Sequence, residues 1–206
     1  MSERIERIRR AFDRRAADYD ESLMHRSLAE AVADSLGLGG VEAVLDVATG
    51  TGLVLRSVAP RATGVRLVGV DISPAMLAVA ARELPSAEWI EADAAQVPLP
   101  DGSVELVTCV TALHILPDVP AAASEWKRVL RAGGRLVTAT FETAHPLPAA
   151  SPEDEHPYPR DHAPYASPDR ISAVFAPYGF RLRGHTRWSD DTDAVLIAEF
   201  VAESSA

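Results

Sequence analysis

Five short apolar segments alternate with helical patterns between residues 43 and 141, and this alternation restricts the fold more than any other feature. The segments are AVLDV, RLVGVDI, AEWIEAD, VELVTCV and RLVTATF. Apolar strands without polar alternation are buried on both faces, and strands separated by helices form a parallel sheet. Two later segments, FRLRGHTRW and AVLIAEFVA, predict a pair of antiparallel strands. We therefore predict an α/β fold: a Rossmann-like, doubly wound, mostly parallel seven-stranded sheet with the last strand antiparallel and helices on both faces.

The 206 residues predict a single domain in four parts. Residues 1–36 form an N-terminal helical lid, and residues 41–141 form the ligand-binding core. Residues 142–168 are rich in proline and histidine, which excludes a regular helix or central strand and predicts a functional loop or lid. Residues 169–206 form a C-terminal helix and the strand pair.

The predicted helices carry start and stop signals. Two helices are expected in the lid, over 3–17 and 22–36. In SPAMLAVAAREL, Ser73 is the predicted N-cap. The segment DVPAAASEWKRVL predicts a helix that is closed by Gly133 and Gly134.

Charge and cysteine content exclude several classes of protein. The net charge of −10 argues against a broad nucleic-acid surface, because binding to phosphates requires clustered Lys and Arg. Cys109 is the single cysteine, which excludes an internal disulfide and disfavours a cysteine-based zinc site. The chain has no apolar segment of membrane-spanning length, and its N-terminal sequence has no signal-peptide core. We therefore expect a cytoplasmic protein with no nucleic-acid or membrane partner.

The turn after the first predicted strand, DVATGTG, lies where open parallel sheets bind their ligands. Its small residues allow a ligand to lie against the backbone. A dinucleotide fingerprint requires a third glycine, but Leu55 occupies that position after Gly50 and Gly52. The chain also lacks the Gly-Lys-Ser/Thr sequence of a phosphate-binding P-loop. The turn therefore predicts a ligand that is not held through phosphates.

Acidic residues end the first three predicted strands: Asp46, Asp71 and Asp93. Asp71 follows Gly50 by 21 residues, a place from which an acid accepts hydrogen bonds from ribose hydroxyls. An acid at a strand end is also a common cap or turn residue, so each one alone has a structural explanation. Together with the glycine turn, these three acids fit a ligand that has a ribose, an exocyclic amine and a positive charge but no phosphate. S-adenosylmethionine has all of these groups.

Several spaced motifs follow one another along the chain: FDRRAADYD, VLDVATGTG, VGVDIS, EADAAQVPLPDGSVELVTCVTALHIL and WKRVLRAGGRLVTATF. Over roughly residues 12–141 the chain resembles the class I S-adenosylmethionine-dependent methyltransferases, in the group that includes enzymes of ubiquinone and menaquinone biosynthesis. Ala48 departs from the family pattern where the first glycine is common, and Ala132 departs where RPGG is common. The resemblance implies methyl transfer from S-adenosylmethionine to a small-molecule acceptor, with O-methylation ahead of N- or C-methylation.

The resemblance also implies roles for individual residues. The methionine part of the cofactor would lie against Ala48, Gly50 and Gly52, in a turn oriented by Asp46. The other implied contacts are with the ribose (Asp71), the adenine (Ile72, Met76, Asp93 and the backbone of Ala94), the outer side of the cofactor (Tyr19) and the wall beside the sulfonium (Val110 and Thr111).

His114, in ALHIL after the fourth strand, is the candidate to face the reacting centre. As a general base it would deprotonate a hydroxyl, because the reference pKa of histidine lies near neutrality; the alternative is a residue that packs the substrate wall. Methyl transfer from a sulfonium needs mainly proximity and alignment, so a base is not obligatory. His145, Tyr158 and Tyr165 are candidates for contacts with the acceptor, and surface positions are the alternative. No metal site is predicted, because the acids near these histidines are not spaced as metal ligands.

The region between the fifth strand and the last two strands is short, and the family places acceptor recognition there. The pocket is therefore either shallow and built partly by the N-terminal helices, or completed by a second subunit of a homodimer. Two other functions are compatible with the sequence: a protein that uses S-adenosylmethionine structurally, as in a cyclisation, and a non-catalytic partner subunit.

Overall fold

The computed structural model describes residues 2–142 and 158–203 of the chain. These residues contain the helices α1 (Glu3–Arg15), α2 (Leu23–Ser35), α3 (Leu53–Val58), α4 (Pro74–Glu83), α5 (Val119–Val129) and α6 (Pro168–Phe175). The strands are β1 (Ala43–Val47), β2 (Arg66–Asp71), β3 (Glu88–Glu91), β4 (Val104–Val110), β5 (Leu130–Phe141), β6 (Phe180–Ser189) and β7 (Ala194–Ala202). Short 3-10 turns occur at Tyr19–Glu21, Ala59–Arg61, Ala163–Tyr165 and Ala176–Tyr178.

The strands form one sheet in the order β3-β2-β1-β4-β5-β7-β6. Neighbouring strands from β3 to β5 are parallel, whereas β7 runs antiparallel to both β5 and β6. The predicted fold class, with its antiparallel last strand, is confirmed. After β3 the chain crosses back to place β4 beside β1, so the strand order reverses between β1 and β4. At such a reversal the carboxyl ends of two strands border a crevice that can hold a ligand.

Strand β1 is buried along its full length and contributes to the hydrophobic core on both faces of the sheet. Leu45 and Val47 belong to a cluster with Trp126 of α5 and Phe175 of α6. Val44 belongs to the cluster on the other face, where α2 and α3 pack. Successive strand residues point to opposite faces, so a continuous apolar run is what a strand between two helical layers requires.

The end of α5 differs from the sequence prediction. The helix ends at Val129 and β5 begins at the next residue, so Gly133 and Gly134 do not close it, and that prediction is wrong. Leu130 is already extended, with φ −72° and ψ 136°, and it pairs with Val104 of β4. Pairing in the sheet therefore ends the helix before the glycines are reached.

Residues 158–165 cross the carboxyl ends of β4 and β5. The backbone N–H of Asp161 donates to the carbonyl of His114 at 2.9 Å. The hydroxyl of Thr140, in β5, donates to the carbonyl of Tyr165 at 3.1 Å. These two hydrogen bonds hold residues 158–165 over the edge of the sheet where the carboxyl ends of β1 and β4 also lie.

Most of the predicted loop over 142–168 lies outside the described residues, and so does His145. The division of the chain into four parts stays a prediction. Among the residues that the structure describes, no helix combines the length and the hydropathy needed to cross a bilayer.

Candidate functional site

A cleft opens at the carboxyl ends of β1, β2 and β4, where α1 lies over the sheet. It contains about 670 Å³ of empty space, including the part open to solvent. A smaller cleft adjoins it beneath α2. The two clefts share five lining residues: Tyr19, Ala48, Gly50, Val110 and Thr111. The turn after β1 therefore forms the border between them.

Asp46, in β1, holds this turn in place. Its side chain is 1% exposed and accepts hydrogen bonds from the hydroxyls of Thr49 and Thr108, both at 2.6 Å. Burial raises the pKa of Asp46 to about 6, and the two hydroxyls oppose that shift. Because Asp46 also lines the smaller cleft, its charge acts on any ligand bound there.

Asp71, the last residue of β2, connects the turns that follow β1 and β2. Its Oδ2 accepts from the backbone N–H of Gly50 at 2.8 Å, and its Oδ1 accepts from the N–H of Ser73 at 2.8 Å. Burial raises the pKa of this carboxyl, and the backbone donors counteract the effect. A carboxylate has about four lone-pair positions, so Asp71 retains capacity to accept from a ligand in the larger cleft that it lines.

Two non-glycine residues of the described chain have positive φ values, and both line the two clefts. Ala48 has φ 52° and Thr111 has φ 53°. The left-handed conformation costs a residue with a Cβ about 1–2 kcal/mol, and it is least common for β-branched residues such as threonine. Thr111 is held there by its N–H, which donates to the carbonyl of Ala139 at 2.8 Å. Backbone strain of this kind concentrates at ligand sites.

The third acid, Asp93, follows β3 and lines the larger cleft. Its Oδ1 accepts from the N–H of Ala95 at 2.9 Å, which fixes the carboxylate in its turn. Ala94 lines the same cleft, and its carbonyl accepts a hydrogen bond from the indole of Trp126 at 2.8 Å. Ile72 adds an apolar wall. The structure thus brings three of the predicted adenine contacts together in one cleft.

The N-terminal segment is tied to the core by two aspartates that sequence reasoning did not select. Oδ1 of Asp13 accepts from the hydroxyl of Ser73, the N-cap of α4, at 2.6 Å. Asp20 accepts from the hydroxyl of Thr51 at 2.5 Å and pairs with Arg56 at 2.5 Å. Both acids belong to the motif FDRRAADYD, which was the available signal for them. They hold α1 and the turn that follows it over the clefts.

Tyr19 lines both clefts, and its ring stacks on that of His25, with centroids 4.6 Å apart and planes at 6°. Burial raises the pKa of Tyr19 to about 12, so its phenol stays protonated. Burial, assisted by the charge of Arg15, lowers the pKa of His25 to about 4. His25 therefore adds a neutral imidazole to the smaller cleft, and nothing in the local sequence pattern marks that position.

Comparison with known proteins agrees with this geometry. Residues 45–138 match a family model described as a methyltransferase domain. A demethylmenaquinone methyltransferase of Thermus thermophilus is 40% identical over 102 residues, 48% of this chain and 46% of that protein. A malonyl-[acyl-carrier protein] O-methyltransferase of Halorhodospira halophila is 36% identical over 154 residues, 69% of this chain and 51% of that protein. Residues 45–138 therefore form a methyltransferase domain.

The methyltransferase domain also has close structural neighbours. A chain from the complex between the Haloferax volcanii Trm112 methyltransferase activator and a methyltransferase matches it with a TM-score of 0.75, at 22% sequence identity. The match covers 94% of this chain and 98% of the other, which shows a shared fold. The chain spans about half the length of the two curated relatives named above.

Two of the predicted cofactor contacts of the methyltransferase domain do not line either cleft. A Cβ at Gly52, where φ is 77°, would lie 2.5 Å from the ring of Trp89. This glycine therefore allows Trp89 to pack against the turn. Met76 is 0% exposed and lies in the interior beneath α4. The ligand contacts of Gly52 and Met76 stay predictions.

His114 lies behind the wall of the larger cleft, although its neighbour Ile115 lines that wall. Its ring is 4.2 Å from the ring of His162 at 18°, and it meets the edge of Phe141 at 5.8 Å. Burial lowers the pKa of His114 to about 3, and the charges of His162 and Arg160 act in the same direction. The imidazole is thus neutral but a weak base. A role for His114 at the reacting centre stays a prediction.

Tyr158 and Tyr165 are buried, with 4% and 7% exposure, so neither is a surface residue. Tyr158 stacks on Phe12 of α1 with centroids 6.0 Å apart and packs in a cluster with Ile8 and Ile115. It therefore fastens α1 to the segment after β4. Tyr165 belongs to the main core cluster. Neither ring lines a cleft, so direct acceptor contacts for them stay a prediction.

Ala48→Gly should raise the free energy of unfolding by about 0.5–1 kcal/mol, because glycine adopts a positive φ without steric strain. The same substitution at Ala81, an exposed position inside α4, should lower the free energy of unfolding by about 0.5–1 kcal/mol. Urea denaturation of both variants measures the two values. Equal destabilisation by both substitutions would show that the turn at Ala48 is not strained.

Proposed function

We propose that this chain binds S-adenosylmethionine in the two adjoining clefts and transfers the methyl group to an oxygen atom of a small-molecule acceptor. The observation that carries the proposal is the carboxylate of Asp71. It is buried, it joins the turns after β1 and β2, and it lines a cleft with mostly apolar walls. A carboxylate in that position suits the paired hydroxyls of a ribose. In the described residues no Lys or Arg lines either cleft, which disfavours a phosphorylated ligand.

The larger cleft fits the adenosine part of the cofactor. Asp71 accepts from the ribose hydroxyls, and Ile72 covers one face of the adenine. Asp93 keeps its Oδ1 in the turn and accepts from the adenine amine, while Ala94 offers its backbone N–H to the ring. Leu116, which also lines the cleft, adds apolar surface for the base.

The smaller cleft fits the methionine part. Ala48 and Gly50 lie on the border of the two clefts and bring the backbone close to the ligand. Asp46 supplies negative charge for the cationic end of the cofactor. Tyr19, held by the hydrogen bond and ion pair of the adjacent Asp20, covers the cofactor from the outside.

Bound S-adenosylmethionine supplies a methyl group on a positively charged sulfur, which is already an activated leaving group. The chain's part is to orient the acceptor in line with that methyl group and to exclude water. Val110 and Thr111, which line both clefts at the end of β4, form the wall beside the sulfur. His114 has the correct neutral form to accept a proton, but its low pKa makes it a weak base. We therefore assign most of the rate enhancement to proximity and orientation.

Oxygen as the acceptor atom is supported by the relative from Halorhodospira halophila, which is named an O-methyltransferase. The test is a screen of small-molecule acceptors with S-adenosylmethionine, with mass spectrometry to detect a gain of about 14 Da, the mass of one CH₂. Calorimetric titration with S-adenosylmethionine and S-adenosylhomocysteine tests the cofactor separately. Binding without any product would favour a structural role for the cofactor, whereas absence of binding would reject the proposal.

The affinity for S-adenosylmethionine should rise with pH through about 6. The ionised form of Asp46 binds the cationic ligand. Because the pKa of Asp46 is raised to about 6, its carboxyl group is protonated below that pH and must lose the proton when the ligand binds. Linkage then predicts up to about a tenfold lower affinity at pH 5 than at pH 7. Asp46→Asn should flatten the profile, and the exposed control Asp191→Asn should keep it. A pH profile of unchanged slope in Asp46→Asn would remove Asp46 from the cofactor site.

A further inference from the structure

Most arginines of the chain are paired with carboxylates, as Arg128 is with Glu125 at 2.7 Å and Arg135 with Glu199 at 2.9 Å. A few are not. In the described residues, seven arginines form no ion pair with a carboxylate: Arg4, Arg7, Arg14, Arg15, Arg26, Arg160 and Arg170. Arg170 donates instead to the carbonyl of Ala163. Of the other six, all except Arg160 precede the core, in the helices that cover the clefts.

Two of these arginines differ from the others in their burial. Among the residues that the structure describes, the Nε atoms of Arg4 and Arg160 are buried and have no hydrogen-bond partner. A buried donor of a charged group without a partner costs free energy. The other unpaired arginines have no buried donor without a partner and are solvated. Arg4 and Arg160 therefore have a physical reason to bind an anion that the exposed arginines lack.

Arg160 lies beside the rim of the larger cleft. Its guanidinium is 5.4 Å from the ring centroid of Tyr158, which packs in one cluster with Ile8 and Ile115. Arg4 lies one helical turn before Ile8, on the same side of α1. Arg160 is also close enough to His114 to act on the charge of its imidazole. The two arginines thus belong to the part of the rim formed by α1 and the segment after β4.

The lack of a carboxylate partner at Arg15 has a different explanation. Its guanidinium lies 5.3 Å from the ring centroids of both Phe12 and Tyr19. Because Tyr19 borders the smaller cleft, Arg15 lies next to the methionine end of the cofactor, whose own carboxylate can satisfy it. Arg160 lies toward His114, beyond the end of β4 and away from the smaller cleft.

We propose that the methyl acceptor carries an anionic group, a carboxylate or a phosphate, and that this group binds the guanidinium of Arg160, with Arg4 as a second contact. The inference rests on the proposed methyl transfer and adds the substrate class. Each of the two ligands then binds beside protein groups of opposite charge. Acids line the clefts that hold the cationic cofactor, and the unpaired arginines lie beyond them, where the acceptor binds.

The test compares anionic probes with neutral counterparts of similar shape. Hydroxybenzoic acids are compared with the matching hydroxybenzamides, and hydroxyphenyl phosphates with the matching hydroxyphenyl dimethyl phosphates. Binding is measured by calorimetry on the full chain saturated with S-adenosylhomocysteine, so the readout does not depend on turnover. We expect the anionic member of at least one pair to bind about tenfold more tightly or better, as a charge-assisted hydrogen bond predicts. The carboxylate and phosphate arms then identify which anion is preferred.

Substitutions of single arginines show which residue binds the anionic group of the probe. Arg160→Gln should weaken binding of the anionic probe about tenfold or more, Arg160→Lys should weaken it less, and Arg4→Gln should have an intermediate effect. Arg14→Gln, an exposed unpaired arginine on another side of α1, is the matched control and should leave binding unchanged. Thermal unfolding of each variant shows whether it is folded.

Equal binding of the charged and neutral members of every pair overturns the inference, and so does unchanged affinity for the anionic probe in both Arg160→Gln and Arg4→Gln. Failure of the proposed function has a different result, because the protein would then not bind S-adenosylhomocysteine at all. Arg160→Gln should keep normal affinity for S-adenosylhomocysteine. A loss of that affinity would assign Arg160 to the cofactor and contradict its assignment to the acceptor.

Discussion

The carboxylate of Asp71 is the contact on which the rest of the site depends. One oxygen binds the N–H of Gly50 and the other binds the N–H of Ser73, so a single side chain sets the distance between the turns after β1 and β2. Those turns form two walls of the larger cleft. An acid is needed there because only an acceptor without donors can bind two backbone N–H groups and still accept from a ligand. The cost of burying its charge appears in the raised pKa.

The lid depends on the same turns. Asp13 binds Ser73, whose N–H is held by Asp71, and Asp20 binds Thr51 in the turn that contains Gly50. The N-terminal helices are thus fastened to the two backbone segments that form the ligand site, at one end of the sheet. A ligand bound between these segments therefore contacts the same turns to which the N-terminal helices are hydrogen-bonded.

The fold could be predicted from the sequence because β1, β2 and β4 are largely apolar runs and each of them is followed by a helix. The strand-end acids could be predicted because the carboxyl ends of parallel strands meet at one edge. Tertiary packing could not be predicted. The sequence predicts that Gly133 and Gly134 close α5, but pairing of Leu130 with Val104 ends the helix earlier. The sequence also does not show that the ring of Trp89 lies beside Gly52, or that the rings of His162 and Phe141 pack against His114.

We propose that Asp71 and Asp93 together hold the adenosine part of the cofactor in the larger cleft. A crystal structure of the protein with S-adenosylhomocysteine tests it most directly. We predict the ribose hydroxyls within about 3.2 Å of the Asp71 carboxylate and the adenine amine within the same distance of Asp93. The backbone N–H bonds of Gly50 and Ser73 to Asp71 should be retained. An adenosine bound elsewhere, or a ribose whose hydroxyls do not contact Asp71, would contradict the account.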